Sequence, residues 1–266
     1  MVDRPPATIA IANQKGGVGK TTTAINLGAA LAMRGVRTLI IDLDPQGNAS
    51  TGLGIANEAR ESTSHDLLAG MEVEPLETGI EHLSIVPATA DLSSIDVELA
   101  DDARRAVRLR EALGRVSRET DVVLIDCPPS LNLLTVNAMV AANSVLVPLQ
   151  CEFFALEGLS QLLLTVREIR RTISPRLRIE GVVLTMYDKR NNLSRQVERD
   201  AREYLEDLVF RTVIPRNVRV SEAPSFARPV VLYDPRSAGA KAYFDLAQEF
   251  LTRIDMAGAK HDTEDA

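Results

Sequence analysis

The chain has 266 residues, of which 45% are hydrophobic and 25% charged, and its formal net charge is −7. This length suits one large α/β domain, and the negative charge argues against a protein that coats nucleic acid with its whole surface. Two cysteines are too few for a disulfide framework, so a reducing cytoplasm is expected. The N-terminus lacks the pattern of a signal peptide, and no apolar run reaches about 18 residues, so we expect neither secretion nor a membrane-spanning helix.

Short apolar runs alternate with longer helical patterns along the chain. The predicted strands are Ala7–Ala12, Arg37–Asp42, Leu83–Val86, Val122–Asp126, Ser144–Leu149, Gly181–Thr185 and Val209–Ile214. The predicted helices are Lys20–Met33, Arg104–Ser117, Leu156–Ile173, Ser194–Leu208 and Gly239–Ile254. This alternation predicts an α/β fold, a single-domain doubly wound and mostly parallel sheet flanked by helices, over residues 6–257. Residues 1–5 and 258–266 are expected to be disordered.

The first predicted strand runs into the loop QKGGVGK, and a helix follows from Lys20. Strand, glycine-rich loop and helix in this order are typical of a phosphate-binding loop, whose backbone N–H groups turn inward around an anion at a helix N-terminus. Lys20 would reach the β- and γ-phosphates, the Thr21 hydroxyl would ligate Mg²⁺, and Thr22 would hold the α-phosphate. The expected nucleotide-binding residues of the loop are Gly16, Gly17, Val18, Gly19, Lys20, Thr21 and Thr22.

One part of the loop departs from the general pattern G-x-x-x-x-G-K-[ST]. Gln14 replaces the first glycine, and a second lysine, Lys15, stands beside it. The stretch K-G-G-V-G-K-T resembles the deviant phosphate loop of dimeric P-loop ATPases that include ParA/Soj partition proteins, MinD, the nitrogenase iron protein and the arsenical pump ATPase. The resemblance implies a homodimer formed on ATP, in which Lys15 reaches across a two-fold interface to the other subunit's phosphates. Charge neutralisation would then depend on dimerisation, as with an arginine finger supplied in trans, so Lys15 and Lys20 are expected to be both nucleotide-binding and catalytic.

Three aspartates follow predicted strands. Asp42 and Asp44 lie at the carboxyl end of one strand and Asp126 at the end of another, at the edge where such sheets bind ligands. Asp126 after a wholly apolar strand has the form of a Walker B acid that binds Mg²⁺ through water. The resemblance implies that Asp44 polarises the attacking water and is catalytic, and that Asp42 lies nearer the Mg²⁺ shell. An iron–sulfur cluster on Cys127 and Cys151 is disfavoured, because neither has the expected sequence surroundings, and small buried residues are the better interpretation.

The C-terminal half of the chain indicates which branch of these ATPases the sequence resembles. MVAANSVLVPLQCEFFALEGLSQLL and VIPRNVRVSEAPSFARPVVLYDPRSAGAKAY look like chromosomal ParA/Soj proteins almost throughout, so the resemblance extends from Ile9 to about Leu251. It implies that Pro215 and Asn217 lie against the adenine. Since no N-K-x-D motif for guanine is apparent, ATP is favoured over GTP.

A basic stripe lies within this acidic chain, since residues 167–228 hold 14 Lys and Arg against 9 Asp and Glu. Arg195, Arg199 and Arg202 recur at helical spacing on one face, and Arg219 could extend the strip. From the residue pattern alone, a salt-paired surface is the favoured interpretation, because acidic residues are interleaved. The resemblance implies instead that this region binds double-stranded DNA without sequence preference and that Arg195 matches a DNA-contacting position.

These features favour an ATP- and Mg²⁺-dependent ATPase of chromosome segregation, cytoplasmic and nucleoid-associated. The resemblance implies a ParB-type centromere-binding partner that stimulates hydrolysis and so releases the dimer from DNA. The alternative is a MinD-like positioning ATPase at the membrane, which would need a basic amphipathic helix at the C-terminus. The end FLTRIDMAGAKHDTEDA has more acids than bases, so no membrane partner is expected. A third alternative, a kinase or metabolic enzyme, lacks a visible acceptor pocket.

Overall fold

The computed structural model describes residues 5–117, 119–153 and 155–264, which build one sheet with helices on both faces. Its strands are β1 Ala7–Ile11, β2 Thr38–Asp42, β3 Leu76–Glu77, β4 Leu83–Val86, β5 Val122–Asp126, β6 Ser144–Gln150, β7 Arg178–Tyr187 and β8 Val209–Pro215. Its helices are α1 Lys20–Ala32, α2 Asn48–Gly52, α3 Ser64–Ala69, α4 Ile95–Glu98, α5 Arg108–Val116, α6 Leu133–Ala141, α7 Ala155–Thr172, α8 Asn192–Leu205, α9 Val218–Glu222, α10 Val230–Tyr233 and α11 Ala238–Glu264.

The strand order is β3-β4-β2-β5-β1-β6-β7-β8. All neighbouring strands are parallel except β3, which pairs antiparallel with β4. The predicted fold class, a doubly wound and mostly parallel α/β sheet, is thereby confirmed. Parallel strands end at a common edge, so the carboxyl ends of β1, β2, β5, β6 and β7 lie side by side.

Two hydrophobic clusters cover the two faces of the sheet, because successive strand residues point to opposite sides. In β5, Val123 and Ile125 belong to the cluster that holds the buried side chains of α3, α5, α6, α7 and α8. Val122 and Leu124 belong to the cluster that holds those of α1, α10 and α11. Each fully buried leucine or isoleucine contributes about 1.5–3 kcal/mol, so both layers hold the sheet edge in place.

Helix α1 lies unusually close to the sheet at Gly28. A Cβ added to Gly28 would come within 2.9 Å of the Ile40 Cδ1 atom on β2. Glycine therefore permits a close approach between the second half of α1 and the middle of β2.

The two terminal segments with predicted disorder are only partly covered. Residues 1–4, 265 and 266 lie outside the described residues. Helix α11 continues to Glu264, well past the predicted end at Ile254.

Candidate functional site

The phosphate loop, residues 12–19, connects β1 to α1 at the carboxyl edge of the sheet. Gly17 and Gly19 have φ values of 74° and 91°, which L side chains adopt only with strain, so the loop geometry requires glycine at both positions. Gly19 is the N-cap of α1 and has no side chain with which to cap it. The first N–H groups of α1 are therefore left facing the loop, where an anion would satisfy them.

Two contacts with neighbouring strands hold the loop in this shape. The Thr185 hydroxyl, near the end of β7, donates to the Val18 carbonyl at 2.8 Å. The Asn13 side-chain amide donates to the Pro148 carbonyl of β6 at 2.8 Å. Both anchors are buried, so the backbone cradle is held before any ligand arrives.

Lys20 is buried at the first position of α1, with 6% of its surface exposed. Its Nζ donates to the Lys15 carbonyl at 2.9 Å, so the ammonium lies inside the loop that it is predicted to serve. Burial lowers the pKa of Lys20, and the charges of Asp126, Cys127 and Asp44 oppose that shift. A phosphate bound beside the Lys20 ammonium would favour its charged form and so offset the effect of burial on its pKa.

The Lys15 side chain pairs with a residue outside the phosphate loop. This side chain is 39% exposed, and its Nζ forms an ion pair with Glu152, which follows the end of β6. The Lys15 backbone N–H donates to Asn13 Oδ1 at 3.0 Å, which fixes where the side chain leaves the loop. The two lysines of the motif therefore have different environments, one buried in the cradle and one at its rim.

Asp42 and Asp126 lie side by side, because β2 and β5 pair with these two residues in register. Asp42 accepts three hydrogen bonds, from Ser50 N at 2.9 Å, Ser50 Oγ at 2.7 Å and Asp44 N at 3.2 Å. Burial raises the pKa of Asp42 to about 6, although the Ser50 and Asp44 bonds oppose the shift. Asp42 therefore ties the end of β2 to α2, and its carboxylate is already satisfied. That Asp42 lies nearer the Mg²⁺ shell stays a prediction.

Asp126 is fully buried, and neither of its side-chain oxygens has a hydrogen-bond partner within the described residues. Burial raises the pKa of Asp126 well above its usual value, and the Asp42 charge raises it further, whereas Thr21 and Lys20 oppose the rise. A buried carboxylate without donors is costly unless a cation or donor joins it.

This arrangement fits a Mg²⁺ site of the kind that nucleotides complete. The donors near the orphaned Asp126 oxygens include the Thr21 hydroxyl, and Mg²⁺ prefers oxygen ligands and keeps several waters besides one or two carboxylates. Within the described part of the chain, no group of three or more His, Cys, Asp or Glu side chains could hold a metal ion unaided. The residues therefore fit a cation that phosphate oxygens and water help to bind.

Asp44 lies beyond the end of β2 and is 8% exposed. Its Oδ1 accepts from the Gln46 N–H at 3.0 Å, which leaves the other carboxylate oxygen for a further donor. The three aspartates predicted from the sequence thus lie together near Lys20, where their charges act on one another.

The residues predicted to contact adenine lie at the same edge of the sheet. Pro215 ends β8 opposite Tyr187, and Asn217 caps α9 by accepting from the Arg219 N–H at 3.0 Å. Sequence reasoning missed a cavity of about 280 Å³ beside the first turn of α1. It is lined by Thr21, Thr22, Ile25, Asn26, Asn48, Thr51, Gly52, Ala223, Pro224 and Arg228. A larger depression of about 500 Å³, lined around His82 and Leu232, contains none of the predicted site residues.

The predicted arginine strip divides into two kinds of residue. Arg195 and Arg199 are exposed on α8 and contact the neutral side chains of Asn192 and Gln196. Arg202 is half-buried, pairs with Glu198 at 3.1 Å and donates to the carbonyls of Phe210 and Arg211. Arg219 pairs with Glu222 at 2.9 Å and Asp234 at 3.4 Å. The Arg202 guanidinium secures α8 against β8, and DNA binding by all four arginines stays a prediction.

Both cysteines are free and buried. Burial raises the pKa of the Cys127 thiol far above its usual value and that of Cys151 to about 12. These are the properties of inert core thiols. No helix in the described ranges is long and apolar enough to span a membrane.

Comparisons with known proteins agree with this geometry. A family model described as an AAA domain matches residues 6–179. The chromosome partitioning protein ParA of Caulobacter vibrioides (strain NA1000 / CB15N) is 58% identical over 95% of this chain and 97% of its own length. The sporulation initiation inhibitor protein Soj of Bacillus subtilis (strain 168) is 53% identical over 91% and 96%.

A solved structure supports the same fold. The crystal structure of cobyrinic acid a,c-diamide synthase from Mycobacterium smegmatis, with bound ATP analog and magnesium, is 37% identical with a TM-score of 0.81. The alignment covers 94% of this chain and 96% of that one. With identities above half over nearly the whole chain, this protein belongs to the ParA/Soj family of chromosome-partitioning ATPases.

Proposed function

We propose that this chain is an ATP-switched, DNA-binding ATPase that moves chromosomal cargo by cycling between an ATP-bound dimer and a released monomer. The observation that carries the proposal is the placement of Lys15. Its ammonium is partly exposed and pairs with Glu152 of its own chain, whereas the Lys20 ammonium bonds within the loop. A second copy facing Lys15 could receive the amine at its own bound phosphates.

Within one chain, the phosphate loop would bind ATP through the N–H groups at the start of α1 and through Lys20. Thr21 and Asp126 would hold Mg²⁺, which when bound would offset the negative charge of the β- and γ-phosphates. Asp44, held by Gln46 and Asp42, is placed to orient a water and accept its proton. The expected intrinsic reaction is slow, because a switch must remain in its ATP state long enough to act.

Across two chains, each Lys15 would contact the partner's phosphates, so stable closure would require a triphosphate on both sides. The bound ATP analog and magnesium of the solved synthase, and the name of the Caulobacter relative, support ATP, Mg²⁺ and partition as the setting. A ParB-type partner bound to a centromere would complete the site, stimulate hydrolysis and release the dimer.

The DNA-binding face would be formed by Arg195 and Arg199 on α8, with Arg219 as a peripheral contact. So few phosphate contacts bind weakly, at roughly 10⁻⁴–10⁻⁶ M for non-specific sites. A dimer would carry two such faces. Once one face is bound to DNA, binding of the other is effectively intramolecular, which raises the overall affinity by about 10²–10⁴. ATP binding and DNA binding would be coupled in this way, and the protein would act on the nucleoid.

DNA co-sedimentation tests this proposal. Double-stranded DNA of random sequence would be incubated with wild type, Lys15→Gln, Lys20→Gln or Arg195→Glu, in ADP or in Mg-ATP, at two salt concentrations. We expect wild type to pellet with DNA only in ATP, and all three variants to lose at least about tenfold in affinity. Binding should also weaken steeply with salt.

A charge-matched variant makes the result specific. Arg110→Glu changes an exposed arginine on α5 and should bind DNA as wild type does. Anionic liposomes replace DNA in a parallel arm that tests the membrane alternative. Equal DNA binding by Arg195→Glu, or ATP-dependent pelleting with liposomes alone, would contradict the proposal.

A further inference from the structure

Glu152 is a residue that the phosphate-loop motif does not include. It lies just beyond β6, 137 positions from Lys15 along the chain, and its carboxylate pairs with the Lys15 ammonium. The Glu152 N–H donates to the Gln150 carbonyl at 2.9 Å, and the Glu152 carbonyl accepts from the Ala155 N–H at 3.0 Å. The Glu152 side chain therefore extends from a backbone turn that hydrogen bonds hold on both sides of the residue.

The rest of Lys15 is also held within the chain. Asn13 Oδ1 accepts from the Lys15 N–H, and the Lys15 carbonyl accepts from Lys20 Nζ. The Lys20 ammonium is thus hydrogen-bonded to the backbone carbonyl of Lys15. If a bound phosphate accepted from the Lys20 ammonium instead, the Lys15 carbonyl would lose this donor.

We propose that Glu152 is a positioning residue that retains Lys15 on its own chain until ATP is bound on a second copy. This inference rests on the proposed function, because it concerns the amine that closes the dimer. The pair is partly exposed, with 39% of the Lys15 and 32% of the Glu152 side chain accessible, so it is weak enough to exchange. A triphosphate carries more negative charge than one carboxylate and would outcompete it, whereas an ATP-free neighbour would not.

The closing test compares dimerisation in Mg-ATP of wild type, Glu152→Gln and Glu152→Ala by analytical ultracentrifugation. All three proteins also carry Asp44→Ala, which blocks hydrolysis, so the reference protein is Asp44→Ala with Glu152 intact. A dimer must break two Lys15–Glu152 pairs, each worth about two- to fivefold at this exposure. We therefore expect both Glu152 variants to dimerise with a dissociation constant about four- to twenty-fivefold lower than that of the protein with Glu152 intact.

Two further variants separate this role from a general change of charge. Glu168→Gln removes a carboxylate from the exposed Arg171 pair on α7 and should leave the dissociation constant unchanged. In a Lys15→Gln background, Glu152→Gln should have no further effect, because the lysine through which Glu152 acts is gone. A dissociation constant that rises in the Glu152 variants would overturn the proposal, since Glu152 would then support the dimer.

Amine labelling gives a readout that does not need a dimer. The chain has five lysines, so mass spectrometry resolves the labelling rate of Lys15 against the exposed Lys189 and Lys241. In nucleotide-free monomer we expect Lys15 to react about two- to fivefold faster in Glu152→Gln than in wild type. Equal rates would contradict the retention of Lys15 by Glu152. Faster labelling without any ATP-dependent dimer would contradict the proposed function and leave the Lys15–Glu152 contact standing, so the two failures are distinguishable.

Discussion

Asp42 and Asp126 are neighbours on adjacent strands with opposite environments. Asp42 receives three hydrogen bonds, two of them from Ser50, and holds α2 against the sheet edge. Asp126 receives none from the described residues. Burial raises the pKa of both, and for Asp126 the Asp42 charge adds to the effect. The ligand-free fold therefore carries a carboxyl group that is costly to ionise where a cation is expected.

A pH dependence of stability follows from Asp126. Its folded-state pKa lies above the unfolded value of about 3.9, so the folded chain retains a proton that the unfolded chain releases. The free energy of unfolding must then fall as pH rises from about 4, by at most about 1.4 kcal/mol per pH unit for one group. Burial raises the pKa of Asp42 to about 6, so Asp42 adds to the fall in the free energy of unfolding between about pH 4 and pH 6. Asp126→Asn cannot titrate, so its urea-unfolding free energy, measured without nucleotide at pH 5 and pH 8, should fall less than that of wild type.

Asp121 supplies a control of opposite sign. Hydrogen bonds from Arg37 hold the pKa of Asp121 below its usual range, so this carboxylate stabilises the fold above its unfolded pKa and the effect is lost as pH falls. Asp121→Asn should therefore lose stability at both pH 5 and pH 8, without flattening the slope between them. If Asp126→Asn kept the wild-type slope, the assignment of an unpartnered carboxylate would be wrong.

Residue patterns reveal only part of this chemistry. Asp126 could be predicted because a wholly apolar strand that ends in a carboxylate places that acid at the ligand-binding edge of a parallel sheet. The task of Asp42 could not, because Ser50 becomes its partner only once α2 folds back on the strand end. Glu152 was equally hidden, since nothing in the motif indicates which residue faces Lys15 from 137 positions away.

At the scale of elements, one buried arginine helps to hold the segment that follows Asp44. Arg60 is 8% exposed and donates to the carbonyls of Ile55 and Ala88 and to the Thr51 hydroxyl. It also packs under Gly47, where an added Cβ would lie 2.4 Å from Arg60 Nη1. The guanidinium thus joins α2, the turn after it and the end of β4.

Removing this arginine should destabilise the fold strongly. Arg60→Met keeps most of the side-chain volume but leaves buried carbonyls without donors, and we expect a loss of about 2–4 kcal/mol in the free energy of unfolding, measured by urea denaturation. Arg37→Met is the matched control, since Arg37 forms an exposed pair with Asp121 and should cost far less. Similar losses in both variants would count against Arg60 as the anchor of this segment.

The elements themselves were predictable where periodicity or uniform burial is strong. Strands β2, β4 and β5 match their predicted ranges within one residue, because they are largely apolar and all their residues except the half-buried Ser84 of β4 are buried. Helix α6 was not predicted, because its nine residues are apolar nearly all round and show no polar face, although Asn132 caps it. Helices α2, α9 and α10 are one turn or little more, too short for a period to be visible.

On the scale of the whole molecule, the proposed switch joins two surfaces, the phosphate loop and α8. The phosphate loop lies beside the central strand β1, whereas α8 connects β7 and β8 at one end of the sheet. The proposed dimer would couple them, since it would present α8 twice and would need a triphosphate at both copies of Lys15 to close.

The mass of the hydrolysis-blocked protein in solution tests that claim most directly. Asp44→Ala would be measured by light scattering after size-exclusion chromatography in Mg-ATP and in Mg-ADP, with Asp44→Ala/Lys15→Gln as its partner variant. The account predicts twice the mass of one chain for Asp44→Ala in ATP, and the mass of one chain in ADP and for the double variant in either nucleotide. An Asp44→Ala protein that binds ATP yet stays monomeric, or a double variant that dimerises as readily, would contradict it.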